Sequence, residues 1–314
     1  MNTQANTVPG SLNLKIEGAQ PPSAAVFSAT RPFYWSVRRE LWEYRSIYIA
    51  PLAAAGLFLV GFLISSFRMP RQMRSLSTSA HVTLHQTILT PYDYVAGLLM
   101  LTAMVVGLFY CLDALHGERR DRSILFWKSL PVSDTTAVLA KASIPLVILP
   151  LITFVLIIAT QWIILIVSSA IWLGSGLSVG TLWTQVSILP MSLMIFYHLL
   201  TVHVLWHAPF YGWLLLVSAW ARRAAFLWAV LPVVAIAFVE KIAFNTSHFA
   251  TFLGDRLGGG AQEAVTAAGS MPIHPGIHIT LGRYLSSPGL WIGLAFTAIC
   301  LAAAVQLRRQ RGPI

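Results

Sequence analysis

Long apolar runs without fixed charges dominate the chain and predict membrane-spanning helices. Residues 94–112 contain no Asp, Glu, Lys or Arg, and about 20 helical residues cover a hydrocarbon core of roughly 30 Å. No fixed charge lies between Lys141 and Arg222 either, a length that requires two spans and an uncharged turn. A soluble domain cannot bury such runs. The pattern therefore predicts an all-α, polytopic membrane protein.

Six transmembrane helices account for the pattern when both termini lie in the cytoplasm. They are expected near residues 46–66, 93–115, 143–168, 193–218, 224–243 and 287–307. Residues 1–30 are polar and lack the basic start and apolar core of a secretory signal peptide, so we predict a disordered cytoplasmic tail there. Residues 31–314 then form one transmembrane domain.

The basic charge of the chain sets its orientation in the membrane. The formal net charge is +10 at pH 7, and only 10% of the residues are charged. With the six predicted spans, all but six of the 21 Lys and Arg residues fall on the side of the termini, as the positive-inside rule requires. The charge therefore needs no nucleic-acid partner, and a bacterial-type inner (plasma) membrane is the expected location.

An amphipathic helix is predicted just before the first span, within residues 33–48. Apolar residues recur there at helical spacing, while Arg38 and Arg39 lie away from the apolar stripe. Trp35 and Trp42 suit the headgroup layer because an indole combines a large apolar body with one N–H donor. We expect an interfacial helix that contacts membrane lipids. The alternative is an ordinary cytoplasmic helix packed on the protein.

The only densely charged block in the body of the chain covers residues 117–141, between the second and third predicted spans. Glu118 and Arg122 stand four apart, which favours a helical ion pair, and Pro131 prevents the helix from continuing. The block therefore predicts a short cytoplasmic helix over residues 118–130, followed by a new helix capped by Ser133. The side chains expected to face a cytoplasmic partner are Arg119, Arg120, Asp121 and Arg122.

This block resembles the integral-membrane permease subunits of type-2 ATP-binding-cassette (ABC) exporters. The Glu-Arg-Arg sequence at 118–120, the Leu-Pro-Val-Ser turn at 130–133 and Lys141 occupy the places of the family's motif, whereas Ser123 stands where Gly or Thr is usual. The interfacial helix, the six spans and an outer helical segment before the last span are similar as well. The resemblance covers roughly residues 33–310.

The resemblance implies an ABC transporter permease domain whose cytoplasmic loop is a coupling helix seated on a separate ATPase subunit. It also implies a second inner contact in the tight turn between the fourth and fifth spans, for which the alternative is a basic turn that only sets topology. The ATPase-coupling residues implied are Glu118, Arg119, Arg120, Asp121, Arg122, Trp127, Pro131, Arg222 and Arg223.

The expected partners are an ABC ATPase (nucleotide-binding) subunit, a second permease chain in a homodimer, and membrane lipids. The sequence has no G-x-x-x-x-G-K-[ST] phosphate loop, so ATP and Mg are expected at the partner ATPase. This chain is expected to bind no cofactor and to be no enzyme. An exported amphiphilic or hydrophobic compound, peptide or lipid would suit a path lined by apolar side chains, although such side chains equally fit ordinary helix packing. They are Phe58, Phe62, Met104 and Phe109.

Three histidines support a rival hypothesis, an intramembrane metalloenzyme. His203 and His207 are four apart and share a helix face, a spacing by which imidazoles bind zinc, and His198 lies one turn before them. No Glu stands beside His203, and the sequence identifies no third ligand. Histidines that hydrogen-bond between packed helices are the commoner case in a span, so we predict no metal site.

Two longer segments are predicted on the outer side of the membrane. The first, residues 67–91, carries Arg68, Arg71 and Arg74 without an acidic residue, and these arginines are either solvated or meet an anionic lipid or substrate. The longest outer segment, residues 244–287, contains three consecutive glycines and two prolines. We expect short helices that dip into the outer headgroup layer, or a partly ordered loop.

Overall fold

The computed structural model describes residues 30–67, 81–129, 132–258 and 284–312, and these ranges contain helices and short connections but no strand. The helices before the long third span are α1 (Thr30–Glu43), α2 (Ser46–Ser66), α3 (His81–Ala114), α4 (His116–Arg120) and α5 (Ser123–Ser129). The third span consists of α6 (Asp134–Ser143), a π-helical segment (Ile144–Ile148) and α7 (Leu149–Gly174).

The rest of the described chain is also helical. It consists of α8 (Val179–Gln185), α9 (Ile188–His198), a second π-helical segment (Leu199–Trp206), α10 (Ala208–Trp220), α11 (Ala225–Phe244), α12 (His248–Leu257) and α13 (Pro288–Gln310). The protein is thus all-α, and the prediction of the fold class is confirmed.

Six helical stretches are long and apolar enough to cross a membrane, which confirms a polytopic membrane protein with six candidate spans. They are Ser46–Ser66, His85–Arg120, Asp134–Gly174, Val179–Trp206, Ala225–Phe244 and Pro288–Gln310. The second and third are longer than predicted because helical hydrogen bonding continues into polar sequence beyond an apolar core. The fourth, predicted as one helix over 193–218, is divided at His207 between the second π-helical segment and α10.

Close packing of α10 on α13 and on α3 builds the centre of the bundle. At Gly212 an added Cβ would lie 3.1 Å from Thr297 Cγ2, and at Gly107 it would lie 3.2 Å from Tyr211 Cε1. Small residues let helix backbones approach in this way, because apolar helices in lipid associate through packing contacts. Gly107 and Gly212 therefore allow α10 to lie close against α3 and α13.

The amphipathic helix predicted before the first span is present as α1. Val37 and Leu41 pack against a core cluster formed by α3, α6 and α10. Trp35 and Trp42 on another side of α1 are 57% and 67% exposed. The segment that follows α11 contains α12, a short helix of the kind predicted. Glu240 of α11 caps it by accepting hydrogen bonds from the backbone N–H groups of His248 (2.7 Å) and Phe249 (2.8 Å).

Four predictions concern residues outside the described ranges. They are the tail predicted over residues 1–30, of which only residue 30 is described, the outer arginines Arg68, Arg71 and Arg74, the coupling residue Pro131, and the part of the last outer segment at 259–283.

Candidate functional site

A cluster of three acidic and three basic side chains, four of them buried and two partly buried, joins four elements at one end of the bundle. Its members, which we call the ion cluster, are Arg39 and Glu40 of α1, Glu118 of α4, Asp134 and Lys141 of α6, and Arg308 of α13. We call the end of the bundle that holds it the charged end. Because formal charges of opposite sign are equal in number, the cluster can be buried without a net charge.

Glu118 is the hub of the ion cluster and is only 2% exposed. Its Oε1 accepts a hydrogen bond from Arg39 Nη2 at 2.6 Å and lies 3.1 Å from Lys141 Nζ, and its Oε2 accepts from Arg308 Nη1. A carboxylate in this position is stable only because cations reach it from three other elements. Glu118 therefore connects α4 to α1, α6 and α13.

Glu40 is the second buried carboxylate and binds the buried ammonium group of Lys141. Lys141 Nζ donates to Glu40 Oε1 at 2.9 Å and to Oε2 at 3.0 Å, and Tyr110 Oη donates to Oε2 at 2.8 Å. Arg39 also donates to Glu40. Burial disfavours the charge on Arg39, but the carboxylates of Glu40 and Glu118 outweigh burial and raise the pKa of this guanidinium group.

Arg308 extends the ion cluster to the start of the third span. Its Nε donates to Asp134 Oδ1 at 3.0 Å. Arg308 lies in the last turn of α13 and Asp134 in the first turn of α6, so each charge also opposes the dipole of its own helix. Ser133 Oγ accepts from the backbone N–H of Thr136 at 3.1 Å, which confirms the predicted N-cap.

The prediction of one helix over residues 118–130 with a Glu118–Arg122 ion pair is wrong. The segment forms α4 and α5, and Arg122 between them has a φ of 59° in the left-handed region. Glu118 turns inward to its three cations, and Arg122 is exposed. An exposed i,i+4 pair contributes only about 0.3–0.5 kcal/mol. That is too little to hold Glu118 on the surface against two charge-assisted hydrogen bonds, from Arg39 and Arg308, and the ion pair with Lys141.

Arg119 is 5% exposed and does not face outward as predicted. Its Nη1 donates to the carbonyl oxygens of Ala219 at 2.7 Å and Ala221 at 3.2 Å, and its Nε donates to Gly312 O at 3.3 Å. The last carbonyls of a helix carry partial negative charge and favour a cation. Arg119 therefore attaches α4 to the end of α10, an interaction that no local pattern in the sequence indicates.

The remaining predicted coupling residues lie at the same end of the molecule. Arg120, Asp121, Arg122, Arg222 and Arg223 are exposed. Trp127 is partly buried, with the guanidinium carbon of Arg39 4.0 Å from its ring centroid. Pro131 lies outside the described residues.

Apolar side chains accompany these exposed charges. Leu125 and Phe126 of α5 are 59% and 60% exposed. We call five of the exposed residues of the α4–α5 segment the loop face: Arg120, Asp121, Arg122, Leu125 and Phe126. Mixed charged and apolar exposure of this kind is typical of a surface that contacts another protein.

Two of the three histidines, His203 and His207, bind backbone carbonyl groups, whereas the His198 ring packs 6.1 Å from that of His203. His203 Nε2 lies 3.0 Å from Met100 O, His207 Nδ1 lies 2.7 Å from Val202 O, and His207 Nε2 lies 3.2 Å from Leu257 O. Among the described residues no group of three or more His, Cys, Asp or Glu side chains is arranged to hold a metal. These contacts do not favour the metalloenzyme hypothesis.

A buried arginine far from the charged end was missed by the sequence analysis. Arg256 of α12 is 5% exposed, its guanidinium carbon lies 4.1 Å from the ring centroid of Trp206, and Nη1 donates to Gly289 O at 3.0 Å. Gly293 makes room for it, because a Cβ there would lie 1.9 Å from Arg256 Nη2. The space for Arg256 is created by α13, so the local sequence of α12 gives no sign of it.

Comparisons with protein-family models, with curated proteins and with solved structures gave no match.

Proposed function

We propose that this chain is the permease subunit of an ATP-driven transporter of the type-2 ABC exporter kind, coupled to a separate ATPase subunit at the charged end. The observation that carries the proposal is the position of Glu118. It belongs to a short helix next to an exposed loop face, yet it binds cations of α1, α6 and α13. A partner that displaces this loop would therefore displace the ends of two spans and the interfacial helix.

The charged end is then the cytoplasmic end, with both termini on that side. This orientation agrees with the excess of Lys and Arg there. In a bacterial-type cell the membrane would be the inner membrane. The loop face would be the main contact with the ATPase, and Arg222 and Arg223, exposed between α10 and α11, would add a second contact.

Transport would follow from a rigid-body change in the permease. Binding of ATP and Mg at the ATPase would close the ATPase subunits and shift α4 and α5. The ion cluster would transmit that shift, because its charges are buried and mutually paired and cannot separate without a large desolvation cost. The permease would bind cargo with different affinities before and after this shift, and the ATPase would hydrolyse ATP.

A second permease chain would complete the cargo path. Only 11% of the apolar stretch of α11 and 22% of that of α2 are buried within one chain, so lipid or another copy must cover these faces. We propose a homodimer and an amphiphilic or hydrophobic cargo. Of the apolar candidates for the path, Phe62 is buried in a core cluster and fits packing, whereas Phe109 is 64% exposed.

The direct test is a pull-down of the tagged chain from native membranes in mild detergent, with mass spectrometry of the partners and an ATPase assay of the eluate. A phosphate-loop ATPase should copurify with the wild type. Combined Arg120→Glu and Arg122→Glu substitutions reverse two exposed charges of the loop face and should reduce its recovery about tenfold, which corresponds to about 1.4 kcal/mol.

Lys241→Glu is the matched control, because Lys241 is exposed in the last turn of α11, away from the charged end. It should retain the ATPase. Purification of the wild-type chain without any ATPase would contradict the proposal, and equal loss in both variants would show that the loop face is not the contact.

A further inference from the structure

A groove with a volume of about 650 Å³ opens between α1, α5 and α6 at the charged end. Three indole rings line it, those of Trp35, Trp42 and Trp127, together with the basic side chains of Arg38 and Lys128. A concave surface that combines aromatic walls with a few fixed charges is typical of a ligand site. Trp35 and Trp42 remain more than half exposed, so the groove is open to whatever surrounds α1.

Arg38 is held between two of these indoles. Its guanidinium carbon lies 5.0 Å from the ring centroid of Trp35 and 4.7 Å from that of Trp42. The three residues are spaced by three and four positions and therefore share one side of α1. Cation–π contact uses the flat face of the guanidinium group and leaves its in-plane N–H donors for an acceptor.

The carboxylates on the wall of the groove already have cations. Glu40 binds Lys141, and Asp134 binds Arg308. None of the ion pairs formed within residues 30–67, 81–129, 132–258 and 284–312 includes Arg38 or Lys128. The groove therefore presents two cations that no carboxylate of the described chain neutralises.

Among the residues that the structure describes, the ammonium group of Lys128 contacts only two backbone carbonyl groups, at long distance. Its Nζ lies 3.3 Å from Arg311 O and 3.5 Å from Arg309 O. An ammonium group has three N–H donors, and a phosphate oxygen would be a stronger acceptor because it carries charge. Arg38 and Lys128 together thus favour an anionic ligand.

We propose that the groove binds one anionic phospholipid from the membrane leaflet at the charged end, with its phosphate diester against Arg38 and Lys128 and its apolar part against the indoles. Tryptophans on a helix that directly precedes a candidate span favour a lipid over a soluble anion, because an indole packs on the glycerol and acyl region while its N–H stays near the headgroups. The proposal is independent of ATP-driven transport.

The test uses the full chain purified in non-ionic detergent and native mass spectrometry. Phosphatidylglycerol is the anionic probe, phosphatidylcholine the zwitterionic comparison and glycerol 3-phosphate the soluble phosphate. One phosphatidylglycerol should bind at least about tenfold more tightly than phosphatidylcholine. Arg38→Gln should raise the Kd for phosphatidylglycerol about fivefold, because one basic side chain near an anionic lipid surface typically strengthens binding by about that factor.

Arg45→Gln is the matched control. Arg45 lies just after α1 and is exposed outside the groove, so its loss should change the Kd less than twofold, while size-exclusion profiles confirm that all variants fold. Equal binding of the two lipids, an equal effect of the two substitutions, or glycerol 3-phosphate binding as tightly as the lipid would overturn the proposal.

A purified ATPase partner that displaces the lipid would also overturn it, since the groove would then be a protein contact in the assembly. Because ATPase recovery in the pull-down does not depend on lipid binding, failure of the lipid proposal leaves the proposed transport function standing.

Discussion

Lys141 Nζ lies 2.9 Å and 3.0 Å from the two carboxylate oxygens of Glu40, and each of the two residues is only 1% exposed. The contact fastens α1, which precedes the first span, to α6, which begins the third. A buried ammonium group and a buried carboxylate both carry a high desolvation cost and are tolerated because they meet each other and further partners.

Lys141→Met should strongly destabilise the protein, because it leaves Glu40 and Glu118 in the interior with one cation fewer. Removal of one partner from a buried pair typically costs about 3–5 kcal/mol. The measurement is the midpoint of thermal unfolding in detergent, followed by tryptophan fluorescence. Lys241→Met, at an exposed lysine, should shift the midpoint little.

A double variant tests whether charge balance is the cause. Glu40→Gln combined with Lys141→Met restores equal numbers of acidic and basic groups in the ion cluster, so it should be more stable than Lys141→Met alone by at least about 1 kcal/mol. A double variant less stable than the single one would show that the lost packing of Lys141, and not its charge, is responsible.

Glu118→Gln should lower the midpoint of thermal unfolding, as Lys141→Met does, and the protein that folds should bind the proposed ATPase but show about tenfold less cargo-stimulated ATP hydrolysis. Glutamine keeps the shape of the side chain but loses the charge that holds Arg39, Lys141 and Arg308, so a displacement of α4 would no longer move those elements together. The measurement is ATPase activity of the reconstituted complex with and without cargo.

Unchanged coupling in Glu118→Gln would remove the assigned role of this residue in transmitting motion. Glu118→Lys is a harsher change than the sequence suggests, because it places a fourth basic group among three buried cations. We expect that variant to lose much of its folded yield, measured by size-exclusion chromatography.

Gly293→Ala should displace Arg256 from Trp206, because the new methyl group would lie 1.9 Å from Arg256 Nη2. Overpacking of this kind costs about 1–3 kcal/mol, and hydrogen exchange of α12 should increase. Gly289→Ala is the control on the same helix, since its Cβ would lie 3.8 Å from the nearest atoms of Arg256 and Trp206. A Gly293→Ala variant as stable as this control would contradict the packing of Arg256.

The purified chain should contain no stoichiometric zinc, since both ring nitrogens of His207 and Nε2 of His203 lie within hydrogen-bond distance of backbone carbonyl oxygens. Elemental analysis of the wild type and of a His203→Ala/His207→Ala variant is the measurement. One zinc per chain that disappears in the variant would revive the metalloenzyme hypothesis.

The sequence by itself determined the features that depend on neighbouring residues. Six apolar stretches predict six candidate spans, because each transmembrane helix must cross the hydrocarbon core with its own apolar residues. The stripe of α1 and the cap at Ser133 are likewise local, since helix faces repeat every few residues and a cap acts within one turn.

Tertiary structure decided the partners of the charged groups. Glu118 lies 79 positions from Arg39 and 190 from Arg308, and its sequence neighbour Arg122 offers a plausible but weaker partner. The inward turn of Glu118, the break at Arg122 and the burial of Arg119 and Arg256 all depend on which helices meet. The physical reason is that apolarity acts along each segment separately, whereas a buried charge is stable only where distant segments bring its counter-ions and hydrogen-bond acceptors together.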